Sequence, residues 1–216
     1  MNEFGTFYNP GEINIQRIIK PYQEAFARPP WNEVSKCADE NLPQRCAGGL
    51  SRIAIGSICG TCETKPSRQA YEAEGLIERF KTLEQTRPLS WYTEESNGNV
   101  ATASLAWTAT AKIIAREKYS DNPDMEPWLE NTLGDNEIVW LDEVFANKAV
   151  RATNNLTNFK AMCDGFLERF DNTTLAYRTI SPAMTRVALR DFGVTPLQDT
   201  PDRRSFIVID AGKRQA

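Results

Sequence analysis

A near-continuous apolar run, Ile138-Val139-Trp140-Leu141 followed by Val144-Phe145, is broken only by Asp142 and Glu143 near its C-terminal end. Its length and β-branched content predict a buried central strand. A different period follows. Leu156, Phe159, Met162, Cys163, Phe166, Leu167 and Phe170 recur at helical spacing, so Leu156 to Phe170 reads as an amphipathic helix. Thr174 to Ile180 reads as a strand. Ser181-Pro182 opens a helix with a cap and a first-turn proline, Gly193 ends it after about Phe192, and Arg204 to Ile209 is a last strand.

The N-terminal half is less regular. Glu12 to Ile19 alternates loosely, as a strand leading into a helix would. Ile18, Ile19, Tyr22, Ala25 and Phe26 share one helical face with Pro21 in the first turn, and Arg28-Pro29-Pro30-Trp31 stops that helix. Ser67 to Leu83 is predicted as a helix capped by Ser67. Leu89 to Glu95 and Val100 to Thr110 flank Ser96-Asn97-Gly98-Asn99, a hairpin signal. Ala111 to Tyr119 extends the second arm or begins a helix, and Asp121 to Leu133 is loop plus a short helix around Trp128. The order predicts a mixed α/β fold, a single domain over 1–216, with one strand–helix–strand crossover in its second half.

Composition narrows the chemistry. None of the 216 residues is histidine, which excludes Ser-His-Asp and Cys-His catalysis, His-ligated metals and an imidazole switch. Acid–base work would fall to carboxylates, Tyr, Cys, Lys or backbone. The formal net charge of −4 argues against a nucleic-acid groove and mildly favours a cationic amine as partner. No stretch reaches the ~20 apolar residues of a membrane span, and residues 1–10 lack the pattern of a signal peptide, so a cytoplasmic setting is expected.

The strand–turn–helix unit around Asp142 to Leu167 offers specific chemistry. A helix N-terminus behind a buried strand presents backbone N–H groups suited to phosphate oxygens, and the turn carries Lys148 and Arg151. Here the chain resembles the GNAT superfamily of acyl-CoA-dependent N-acyltransferases, whose motif Arg/Gln-x-x-Gly-x-Gly/Ala follows the central strand. Arg151 matches. Asn154 stands at the first glycine and Leu156 at the second small position, and Leu189 stands where the family often carries a tyrosine acid.

The resemblance implies a GNAT-like mixed sheet flanked by helices and direct attack of an amine on the thioester of acetyl-CoA. It implies Val144 and Phe145 as oxyanion-binding amides. Arg151, Ala152, Thr153, Asn154, Asn155 and Leu156 would hold the pyrophosphate. Glu143, with Glu94 behind it, would be the general base. Because adjacent strand residues face opposite sides, only one of Asp142 and Glu143 is expected to face a given site. Trp91, Trp107 and Trp140 read as core or sheet lining, with one of them walling the acceptor pocket as the lesser reading, and Phe26, Trp31 and Trp91 are weaker acceptor-contact candidates.

Residues 37–66 hold Cys37, Cys46, Cys59 and Cys62 and few large apolar residues. The Cys59-Gly60-Thr61-Cys62 knuckle suits a structural zinc that staples this insertion; two disulfides, a redox pair or plain thiols are the other readings. Cys163 reads as core. The function expected is an N-acetyltransferase acting on a small-molecule or protein amine. The alternative is a non-catalytic GNAT-like or zinc-stapled interaction module.

Overall fold

The computed structural model describes residues 5–26, 34–37, 67–69, 73–146, 159–198, 200–202 and 204–212. Strand β1 is Thr6–Tyr8 and helix α1 is Gln16–Phe26. Strands β2 (Val34–Cys37) and β3 (Ser67–Gln69) precede helix α2, Ala73–Thr86. Next come β4 (Leu89–Ser96), β5 (Asn99–Ala109), α3 (Ala111–Lys118) and α4 (Met125–Leu133). The second half is β6 (Ile138–Ala146), α5 (Phe159–Arg169), β7 (Thr174–Thr179), α6 (Pro182–Phe192) and β8 (Ser205–Asp210).

A six-stranded sheet runs β1-β4-β5-β6-β7-β8, and β2 and β3 form a separate pair. Among the described residues only β6 and β7 are parallel, joined through α5, as the crossover pattern predicted. One face of the large sheet packs on α1, α2, α3 and α4 around Ile18, Phe80, Ile114 and Leu129. The other packs on α5 and α6 around Met162, Phe166, Val187 and Ala188. The mixed α/β fold class is as expected.

Local chemistry explains the elements. Asn97 and Gly98 take φ of 54° and 74°, the left-handed pair that turns β4 into β5 with the twist of its strands. Ser181 takes the N-cap position of α6 with an extended backbone but no side-chain cap bond, Pro182 follows, and Gly193 ends the helix at φ 65°. On α5, Gly165 lies so close to the Phe7 ring that a Cβ there would overlap it. That contact holds β1 against the helix, with Phe7 edge-on to Phe166 at 5.1 Å.

Three expectations are corrected. The first strand is Thr6–Tyr8 rather than one beginning at Glu12, because Phe7 packs between Tyr92 and Phe166. Pro21 lies inside α1, not in its first turn. The helix has already closed at the Ile18 N–H to Ile15 carbonyl bond, 2.9 Å, and Pro21 simply supplies no N–H to Arg17. Ser67 is no helix cap. Ser67–Gln69 pairs antiparallel with Val34–Cys37, and the helix starts at Ala73, where Leu76 and Phe80 begin the buried face.

Two irregularities set the C-terminal end of β6 apart from the rest of the sheet. Leu105 sits opposite Glu143 and Ala106 opposite Leu141, so Asp142 is an extra residue, a β-bulge. And β6 pairs with β7 only at Val139–Leu175 and Trp140–Ala176; beyond those pairs the two parallel strands part.

Candidate active site

The parting of β6 and β7 opens a cavity of about 180 Å³ beside the bulge. Up to Leu141, β6 alternates normally, with Val139 and Leu141 on the α5 face and Trp140 on the α1 face. The bulge breaks that period. Asp142 and Glu143 both turn toward the α1 and α2 side, and the alternation resumes with Val144 and Phe145 on opposite faces. The expectation that only one of Asp142 and Glu143 could face a site is therefore wrong: the extra residue places both in one.

They sit in a charged network. Arg79 of α2 extends Nη2 to Glu143 Oε1 at 2.7 Å and to Asp142 Oδ2 at 3.1 Å. Lys118, the last residue of α3, pairs with Asp142. The Tyr22 hydroxyl donates to Glu143 Oε1 at 3.1 Å, and Trp140 Nε1 donates to Asp142 Oδ1 at 3.3 Å.

The two carboxylates are pushed apart. Burial, and then the Asp142 charge, raise Glu143 above its ordinary value, against the pull of Arg79. Burial acts on Asp142 in the same sense, but Lys118 and Arg79 outweigh it and hold Asp142 below its ordinary value. Arg79, though burial opposes its charge, is held firmly cationic by Glu143 and Asp142. Such a split suits a pair in which one carboxylate stays ionised and its neighbour is free to exchange a proton.

The other expected residues divide. Val144 lines the cavity, while Phe145 packs in the core with its ring 5.5 Å from Tyr22. The ladder is regular from Glu143 to Ala146, so adjacent N–H groups point to opposite edges. Only one of the Val144 and Phe145 amides can therefore face the gap. Glu94 is not brought near Glu143. It accepts from the Tyr92 hydroxyl at 2.7 Å, and Tyr92 belongs to the core on the α5 face. Phe26 lines the cavity; Trp91, Trp107 and Trp140 are all buried in the core, as expected, and Trp140 also lines the cavity. Leu189 is 56% exposed and does not reach the site.

Arg151, Ala152, Thr153, Asn154, Asn155 and Leu156 lie outside the described residues, as do Trp31, Cys46, Cys59 and Cys62; Cys37 ends β2. Among the described residues no cluster of three or more Cys, Asp or Glu could hold a metal, and no helix is long and apolar enough to cross a membrane. Cys163 is buried in the apolar face of α5, as expected.

Sequence reasoning missed Tyr22, Arg79, Lys118 and Arg178 as cavity residues, and Arg204, which the sequence alone marks as a surface charge, lines the cavity too. Arg79 left a faint mark: it stands three residues after Leu76 and one before Phe80, a cation on the buried side of a helix.

No protein-family model matches the chain, and no curated protein does. Solved structures do. Arylalkylamine N-acetyltransferase 2 from Aedes aegypti superposes with a TM-score of 0.52 at 9% identity, covering 96% of this chain and 99% of that one. The structure described as histone acetyltransferase HPA2 and related acetyltransferase, from Corynebacterium glutamicum, gives 0.50 at 13% identity, with 96% of both chains covered. At such identity the likeness is one of fold, and with its bulged, splayed central pair this chain has the GNAT fold of the N-acetyltransferases.

Proposed function

We propose that the protein is an acetyl-CoA-dependent N-acetyltransferase for a small-molecule or protein amine. The observation that carries this reading is the separation of β6 from β7 immediately after the last shared pair, Trp140–Ala176, next to the bulge at Asp142. A strand edge without a partner offers N–H groups fixed in direction, which suits a developing oxyanion. In this reading the acetyl thioester enters that gap, and one of the amides of Val144 and Phe145 donates to its carbonyl oxygen.

Glu143 takes the proton from the acceptor ammonium, directly or through a water. The freed amine attacks the carbonyl carbon, the C–N bond forms and the C–S bond breaks. Coenzyme A leaves as a thiolate, and the second proton that the attacking nitrogen must lose to become the amide passes to it through water. Arg79 and the Tyr22 hydroxyl hold the Glu143 carboxylate in place.

The pyrophosphate falls to Arg151 and the amides of Ala152 to Leu156 ahead of α5. The start of that helix supports the assignment: Phe159 packs 5.8 Å from Tyr177, on the part of β7 that has left β6. The negative whole-chain charge fits a partner other than nucleic acid, and the reduced cytoplasm suits a zinc held by Cys37, Cys46, Cys59 and Cys62.

The test is a melting curve with and without acetyl-CoA. At about 100 times its dissociation constant the ligand adds roughly 2.7 kcal/mol of stability, a rise of a few degrees. No rise with acetyl-CoA or longer acyl-CoAs contradicts the reading. A rise without thiol release for any amine points to a binding module of the same fold.

A further inference from the structure

With Asp142 and Glu143 matched by Arg79 and Lys118, the cavity wall still carries two more cations, Arg178 and Arg204. Arg178 stands on β7 beyond its last pair with β6. Its Nη1 lies 3.3 Å from Asp202 Oδ2, and its guanidinium sits 4.7 Å over the Tyr119 ring.

Arg204 is fixed by its backbone. Its N–H lies 3.0 Å from Thr200 Oγ1 and 3.2 Å from Asp202 Oδ1, with Thr200 itself buried. Asp202 thus uses one oxygen on Arg178 and the other on the turn. Among the described residues no carboxylate pairs with the Arg204 guanidinium. Burial pushes the Tyr119 hydroxyl up, while Arg178 and Arg204, both in the cavity lining, act on it in the opposite sense.

Whole-chain acidity points to a cationic acceptor, but this wall does not. A plain ammonium or polyamine entering here meets Arg79, Lys118, Arg178 and Arg204, while the carboxylates present are already engaged. A molecule with an ammonium at one end and an anion at the other answers both halves of the wall.

We propose that the acceptor amine carries an anionic group, a carboxylate or a phosphate-like group, which the Arg204 guanidinium binds with Arg178 at its side while the amine faces Glu143. This rests on the transferase reading. Guanidinium groups suit the role because they stay charged and pair bidentately with such oxyanions.

The experiment follows thiol release from acetyl-CoA with matched acceptors: β-alanine, its carboxamide, and 2-aminoethylphosphonate, then alanine and alaninamide. Anionic members should exceed their neutral partners in kcat/KM by about tenfold or more. The phosphonate arm separates phosphate-like from carboxylate recognition. Arg204→Gln should collapse the ratio to about twofold or less, with the melting temperature and the acetyl-CoA Kd of the wild type. Equal turnover of neutral and anionic amines, or a ratio that survives Arg204→Gln, overturns the proposal.

Should no acceptor turn over, calorimetry of the same pairs on the coenzyme A complex reads the preference, and equal or absent binding overturns it. Failure to bind acetyl-CoA at all is a separate result, which removes the transferase reading itself.

Discussion

At the scale of single residues, two neighbouring carboxylates in the cavity have opposite tendencies. Glu143 is raised above 4.5 by burial and by Asp142, so the native state holds its proton more tightly than the unfolded chain does. Its contribution to stability is full below pH 4.5 and is lost as pH rises through the raised value. Asp142, held below 3.8 because Lys118 and Arg79 outweigh its burial, stabilises above that pH and stops doing so as pH falls through its depressed value. Glu143→Gln removes the first effect, so the variant should gain melting temperature relative to wild type as pH climbs from 4.5 toward neutrality. If Glu143 is the base, kcat/KM also rises with pH along a limb placed above 4.5, and the variant loses that limb with about a 10²–10⁴-fold fall in rate. A fall under about threefold, with the limb intact, removes Glu143 from the mechanism.

Glu143 was legible because a carboxylate in an apolar strand is conspicuous. Arg79, Lys118, Arg178 and Arg204 were not, because each comes from a different element and only the fold assembles them.

At the scale of elements, strong local signals were readable. Asn97-Gly98 gave the hairpin, Ser181-Pro182 and Gly193 bounded α6, and the apolar spacing around Phe166 gave α5. The failures share a cause. Ser67–Gln69 is a strand because of Val34–Cys37, some thirty residues upstream, and β1 is fixed by Tyr92 and Phe166. A sequence window carries no trace of such partners. The bulge at Asp142 is likewise a property of two paired strands, and it alone puts both carboxylates on one face.

The stretch between β2 and β3 holds the remaining element-scale question. A zinc on Cys37, Cys46, Cys59 and Cys62 would give about one metal per chain in protein purified without chelator, and its removal would lower the melting temperature. Metal-free protein with four titratable thiols besides Cys163 contradicts it.

At the scale of the whole molecule, two cores lie on either side of one sheet, and the opening lies where the sheet stops being continuous. The order of elements was enough to foresee this plan. It was not enough to foresee the sign of charge in the cavity, since a net charge of −4 over the chain coexists with a cavity wall rich in guanidinium groups. In the proposed reading, acceptor choice follows local rather than global charge.

The transferase reading stands or falls with acetyl-CoA occupying the gap between β6 and β7, and hydrogen–deuterium exchange with and without acetyl-CoA is its sharpest test. Slowed exchange is expected in peptides covering Asp142–Ala146 and Tyr177–Thr179, with the Asn97-Gly98 hairpin tip unchanged. Saturating acetyl-CoA that leaves both strand segments unprotected, or that protects only the hairpin tip, contradicts it.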